Sequence, residues 1–168
     1  MPIRYWVLIF ALGIGWGSSF VFNEVLLREI GPLNMSLGRV GLGAVGCWIW
    51  AFAMRKPIAY PFAILMGLVF VGIINYAIPF ALFPFSQQHI SSGVAGIINA
   101  MTPVMVVLVS HVWPDGEKIT LLKFLGAVAG ILGITILAVP AIKEGGGSQL
   151  WAILVGLAAP VSYAVALN

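Results

Sequence analysis

Two charged side chains, Glu24 and Arg39, sit inside runs of residues that are otherwise almost entirely apolar. An ionisable group at the centre of a helix in hydrocarbon costs at least about 2.5–3.5 kcal/mol, so it faces a cavity or a partner. Glu24 lies about three residues from the end of the first apolar run, and Arg39 about five residues into the second. At about 1.5 Å per residue these are depths of roughly 5 and 7 Å from one face. Antiparallel neighbours would bring the two together, so a Glu24–Arg39 ion pair is expected, with Arg28 one turn beyond Glu24 as the alternative partner. Three amides, Asn23, Asn75 and Asn99, also fall inside apolar runs. Each can donate and accept hydrogen bonds, to a ligand or to a neighbouring helix. Asn75 and Tyr76 are near the middle of the third run, and Asn99, Met101 and Thr102 precede Pro103 in the fourth. Proline frees a backbone carbonyl one turn back, so Pro103, and likewise Pro79 and Pro84, would leave acceptors open to a substrate or another helix. Asn75, Tyr76, Asn99, Met101 and Thr102 are therefore the first candidates for a polar binding site, with interhelical hydrogen bonds of about 0.6 kcal/mol each as the plainer alternative.

Catalysis finds no footing in these residues. His89 and His111 are isolated, and neither has a metal-ligand partner at useful spacing. Cys47 is the one cysteine and lies in an apolar stretch. Neither a disulfide within the chain nor a thiolate metal site follows from it. GAVAGILG, from Gly126 to Gly133, superficially matches a nucleotide-binding loop, but no strand precedes it. Close helix packing through small residues is the expected role there, and also for Gly13, Gly17, Gly38, Gly41 and Gly46. The pattern contains no nucleophile–base constellation and no paired catalytic carboxylates, so neither an enzyme nor a metal or other cofactor is expected.

The elements that must position these groups are membrane helices. The chain is 61% hydrophobic and 8% charged, against about 25% charged in soluble domains. Its eight lysines and arginines are scattered singly or in pairs, with no stripe for nucleic acid. A span needs about 20 mostly apolar residues. Six such runs occur, at about Tyr5–Leu27, Asn34–Met54, Phe62–Phe85, Ser92–Trp113, Ile119–Val139 and Leu150–Asn168. The connectors hold the turn residues: REIGPLN, RKPIAYP, SQQHIS, PDGEK and PAIKEGGGSQ. Backbone groups in lipid must be satisfied internally, so the runs predict an all-α integral membrane protein with about six transmembrane helices and the lipid bilayer as its surroundings. With the N-terminus in the cytoplasm, Arg4, Arg55, Lys56, Lys118 and Lys123 fall inside and Arg28 and Lys143 outside, which agrees with the positive-inside bias.

The sixth run looks like a weak copy of the first. With Trp6 laid on Trp151, Leu12 meets Leu157, Gly17 meets Ser162 and Asn23 meets Asn168. A repeat of five helices is odd in number, so a second copy would enter the membrane inverted, as in many secondary transporters. The expected organisation is a five-helix repeat over residues 1–140, an outer Gly-rich loop at 141–148, and the first helix of a truncated second repeat at 149–168.

Several motifs together resemble the EamA-type transporters of the drug/metabolite transporter superfamily. They are WGSSF at Trp16–Phe20, the Pro32 loop followed by Arg39, the stretch from Ala95 to Pro103, and Glu117-Lys118-Ile119-Thr120 followed by Lys123 and Gly126. The resemblance implies ten helices in two inverted repeats around a central cavity, in the bacterial plasma (inner) membrane. It implies secondary-active export of small metabolites, amino acids or related compounds, or drugs. By position it puts Trp16 to Asn23, including Ser19, on the cavity side of the first helix. Arg39 then takes the place of the family's helix-two arginine, and Glu117 that of an acidic residue ordering the inner loop and capping the fifth helix. Many members have lysine where this chain has Glu24, and the second repeat is absent beyond its first helix. Glu24 and Arg39 are then expected at a gate near the outer mouth, with the substrate site nearer Asn75, Tyr76 and Asn99. The alternatives are a half-size transporter working as a homodimer and a non-transporting membrane scaffold.

Overall fold

The computed structural model describes residues 2–55, 60–114, 116, 118–136, 139 and 149–168. Helix α1 is Ile3–Leu26 and α2 is Pro32–Ala53. The third span is α3, Phe62–Gly72, continued through a π-helical turn at Ile73–Ala77 into α4, Ile78–Gln87. The fourth is broken into α5, Ser92–Asn99, and α6, Thr102–Val112. The last element, α7, is bounded by Leu121 and Leu167, and its described segments are Leu121–Ile136 and Gln149–Leu167. Five helical segments are long and apolar enough to cross a membrane among the described residues, and Leu121–Ile136 is a shorter apolar helix. The Gly-rich loop expected at 141–148 lies outside the described residues, as does Glu117.

Local chemistry sets where the helices start. Pro32 opens α2 after extended Gly31, a position where proline's missing N–H has no helical partner to lose. Ser91 caps α5 by accepting the Val94 N–H at 3.4 Å, and Thr120 caps α7 by accepting that of Lys123 at 3.4 Å. Large apolar side chains such as Leu42 and Phe62 are more than 70% exposed. That surface suits acyl chains and would be unfavourable in water.

The bends in the third and fourth spans follow from proline, and each freed carbonyl receives a hydroxyl. Pro84 cannot donate to the Phe80 carbonyl, and Ser36 Oγ of α2 lies 2.7 Å from that oxygen and 2.7 Å from the Pro32 carbonyl. In the π turn, Ile78 N–H bonds the Ile73 carbonyl. The next donor in that ladder would be Pro79, which has none, and Ser162 Oγ of α7 donates to the Ile74 carbonyl at 2.6 Å. Pro103 leaves the Asn99 carbonyl free, and Thr102 Oγ1 donates to it at 2.7 Å. The carbonyls expected to stay open to a substrate are therefore satisfied from within the protein at these three points.

Gln149–Leu167 runs antiparallel to α4, because Ser86 bonds the Ala152 carbonyl at 2.7 Å while Ser162 reaches Ile74. Ala152, Ala159 and Ala164 are fully buried, and Phe20, Phe83 and Ile98 pack with Tyr163 of this helix as the core. The glycines expected to bring helices close divide into two groups. A Cβ at Gly130 would meet Val104 Cγ2 at 3.0 Å, and one at Gly156 would meet Ser86 Oγ at 2.8 Å and Ile98 Cδ1 at 3.2 Å. At Gly13, Gly17, Gly38, Gly41, Gly46, Gly126 and Gly133 nothing among the described residues lies within 4 Å of such a Cβ, so packing among the described residues does not account for those seven. Gly156→Leu is expected to lower stability by about 1–3 kcal/mol through overpacking, read as a drop in the thermal midpoint of the purified protein. Gly126→Leu should leave that midpoint unchanged or raise it, because leucine favours the helix by several tenths of a kcal/mol over glycine.

Candidate functional site

Three helices meet at a buried chain of amides. Asn23, at the end of α1, is 2% exposed, and Gln87, at the end of α4, is 6% exposed. Arg39 Nη1 of α2 donates to Asn23 Oδ1 at 2.8 Å, Asn23 Nδ2 donates to Gln87 Oε1 at 2.9 Å, and Gln87 Nε2 donates to the Phe20 carbonyl at 2.9 Å. Arginine can only donate and a carbonyl can only accept, so the polarity of every bond between them is fixed. Flipping either amide would set donor against donor. The Arg39 guanidinium also packs over the Phe80 ring, 4.5 Å from its centroid, a cation–π contact.

Glu24 is not joined to Arg39. Its Oε2 accepts the backbone N–H of Ser92 at 2.8 Å, at the first residue of α5. The orphan N–H groups and positive dipole end of a helix start favour a carboxylate there. The expected Glu24–Arg39 ion pair is replaced by two separate arrangements: a buried amide accepts one N–H of the arginine, and a helix terminus donates to the carboxylate. Glu24 thereby ties α1 to α5.

Next to the amide chain lies an open cavity of about 560 Å³ whose walls include Trp16, Asn75, Tyr76, Asn99, Thr102 and Tyr163. The π turn presents Asn75 and Tyr76 to it, and the break between α5 and α6 presents Asn99 and Thr102. Trp16, Asn99 and Ala100 also border a groove of about 490 Å³ along Gly13, Gly17, Gly93 and Gly96, between α1 and α5. A narrow cleft of about 10 Å³ is lined by Trp16, Ser19, Arg39, Phe80, Phe83 and Tyr163.

The structure thus gathers Trp16, Asn75, Tyr76, Asn99 and Thr102 around one cavity, and places Ser19 beside Arg39 in the cleft. Asn23 does not line the large cavity; it is buried, with its amide bonded to Arg39 and Gln87. Met101 is 4% exposed and turned toward α7, where a Cβ on Gly130 would meet its Sδ at 3.9 Å. Tyr163, 8% exposed and lining both cavity and cleft, was missed by the sequence reading, as were Gln87 and Ser162. Tyr163 follows Ser162, which the weak repeat aligns with Gly17, so that match was the signal for it. Gln87 sits in SQQHIS, read as a connector, and only the extension of α4 to Gln87 brings it into the core.

Helices with an apolar exterior and an internal polar cavity define a multi-pass membrane protein. The EamA-like transporter family model matches residues 4–139, and the chain belongs to that family. It is 25% identical over 159 residues to an uncharacterized transporter of Buchnera aphidicola, covering 95% of this chain and 53% of that protein. It is 26% identical over 167 residues to the uncharacterized transporter YoaV of Bacillus subtilis, covering 94% of this chain and 54% of the relative. It is also 26% identical over 151 residues to a probable terminal-alkyne amino-acid exporter of Streptantibioticus cattleyicolor, covering 89% and 49%. The chain spans about half the length of these curated relatives. No solved structure matches it.

The amide chain and the helix cap give separable expectations. A double-mutant cycle of Asn23→Ala and Gln87→Ala should return a coupling of about 0.6–1.7 kcal/mol in unfolding measurements. Glu24→Ala should cost about 0.5–2 kcal/mol. Glu24→Gln keeps an acceptor oxygen for Ser92 and should lose clearly less.

Proposed function

We propose that this chain forms one wall of a membrane transporter that moves small organic solutes, and that the cavity beside Trp16 and Tyr76 is where the solute is held. The observation carrying this reading is the cavity itself. It gathers two amides, a threonine hydroxyl and three large aromatic rings at the bends of two spans. Its volume of about 560 Å³ falls within the roughly 300–1,000 Å³ of small-molecule sites. Irregular backbone at membrane depth is tolerated where it borders such a cavity, and discontinuous helices are how transporters build midplane sites. The groove along Gly13, Gly17, Gly93 and Gly96 continues from the cavity between α1 and α5, and offers a path along the helices.

Residues 1–140 act as one five-helix repeat, and Gln149–Leu167 begins a second. The length of the relatives, about twice that of this chain, supports this, and so does the packing of Gln149–Leu167 into the core. The second wall comes from the sequence that the longer relatives carry. The direction is export, supported by the exporter name of one relative and by the family resemblance. The membrane is the bacterial inner membrane with the N-terminus in the cytoplasm, supported by the positive charges at Arg4, Arg55 and Lys118. Amino acids or related small metabolites are the solute class, and the chemistry is binding and release without covalent steps.

The test is transport by the protein expressed from its complete gene, reconstituted in liposomes and assayed with a panel of radiolabelled amino acids. Tyr76→Ala and Asn99→Ala are each expected to lower the initial rate by about tenfold or more, as loss of a hydrogen bond or stacking contact worth at least 1.4 kcal/mol in the transported complex would. Leu42→Ala, on the lipid-facing surface, should leave the rate unchanged. Wild-type rates in both cavity variants would show that the solute takes another route.

A further inference from the structure

We propose that Arg39 is the anchor for a carboxylate on the solute, so that the cavity selects solutes that carry a carboxylate group, amino acids among them, over the matching amides of the same shape. The inference rests on reading the cavity as a solute site, and adds the chemistry by which that site chooses.

Arg39 is held in place before any solute arrives. Its Nη1 is fixed on Asn23 Oδ1 at 2.8 Å, and its plane lies over the Phe80 ring. Asn23 cannot yield, because its other end is tied to Gln87 at 2.9 Å. A guanidinium carries five N–H donors in one rigid fork. The Asn23 bond and the Phe80 contact leave further donors of that fork without a partner among the described residues. Glu24, the counter-charge that the sequence places at a matching depth, is engaged on the Ser92 amide instead. Ser19, which shares the cleft, gives its proton to the Trp16 carbonyl at 2.7 Å, so its oxygen can only accept and cannot compete with Arg39 as an anion donor.

The cleft in front of Arg39 has about 10 Å³ of free space, close to the smallest volume that holds one water molecule. That is room for an oxygen atom and not for a whole solute. Trp16 and Tyr163 line both the cleft and the 560 Å³ cavity. In the proposed pose one oxygen of a terminal carboxylate enters between those shared rings toward Arg39 while the body of the solute stays against Tyr76 and Asn99. The linings of cavity and cleft contain one cation, Arg39, and no carboxylate. A single positive charge matches a single carboxylate group, and the N–H···O⁻ bond to one carboxylate oxygen is charge-assisted.

A hydrogen bond to a charged group contributes about 1.5–3 kcal/mol, which corresponds to roughly 10- to 100-fold in affinity. The experiment measures binding of matched pairs to the purified protein in nanodiscs by tryptophan fluorescence. The pairs run from propionate and propionamide to 3-phenylpropionate and 3-phenylpropionamide. The wild type should prefer each carboxylate that fits by about tenfold or more. R39Q should abolish that preference by weakening the carboxylate and leaving the amide unchanged, which also reports an intact cavity. If R39Q does not fold, R39K carries the test. It keeps the charge but loses the fork, and should bind the carboxylate about threefold or more weakly with the amide unaffected. Equal wild-type binding of acid and amide, a preference that survives in R39Q, or an unweakened carboxylate in R39K overturns the role of Arg39 while leaving the cavity as a solute site. Failure of every pair to bind the wild type overturns the cavity reading and the anchor with it.

Discussion

A carbonyl oxygen without a partner costs several kcal/mol in hydrocarbon, and the architecture is organised around meeting that requirement at its prolines. Pro79, Pro84 and Pro103 each withhold a donor from a turn of helix. The missing donors are replaced by the hydroxyls of Ser162, Ser36 and Thr102. Two of these replacements come from other helices, so satisfying the backbone also welds α2 and the Gln149–Leu167 helix to the third span. The bends that result are what aim Asn75, Tyr76, Asn99 and Thr102 at a common space. The cavity is thus a consequence of how the broken backbone is repaired.

The second constraint is directional. An arginine at one end and a backbone carbonyl at the other fix the orientation of both amides between them, and these bonds join α1, α2 and α4 at one point. Neutral amides can be buried this way without removing a counter-ion pair from water, whereas a buried Glu–Arg pair carries a desolvation penalty that its attraction often fails to recover. Asn23, and not Glu24, takes Arg39, while Glu24 is held on the Ser92 N–H. Glu24 then serves where a carboxylate is most useful, on the exposed N–H groups at the start of α5.

Much of the fold was legible because its signals are local. The expected span at Phe62–Phe85 ends at Gln87, that at Ser92–Trp113 ends at Val112, and the first two shift by no more than two residues at either end. Run length in a low-charge chain and turn residues between runs are enough for that. The prolines and the polar residues beside them marked where the helices break, and five of the eight residues singled out for binding or cavity lining border the large cavity. What was not legible depends on partners distant in sequence. Glu24 and Arg39 were matched by depth alone, and depth cannot reveal that Gln87 would enter the core and claim Asn23. Met101 lies one residue from Thr102, yet faces α7 and not the cavity, because consecutive residues of a helical turn point to different sides. Glycine composition suggested close packing throughout. Contact with Gly130 and Gly156, but not with Gly13 or Gly17, is set by which helices become neighbours.

The proposed solute cavity requires the bends around Asn99 to be open to water while the residues beside them stay sealed. Single cysteines tested with a membrane-impermeant thiol reagent measure this directly, in a background where Cys47 is replaced by alanine. Asn99→Cys and Thr102→Cys should react readily and be protected by transported solute, while Met101→Cys, buried against α7, should remain unreactive. Equal reactivity at Met101 and Thr102, or no reactivity at Asn99 and Thr102 in folded protein, would contradict the account.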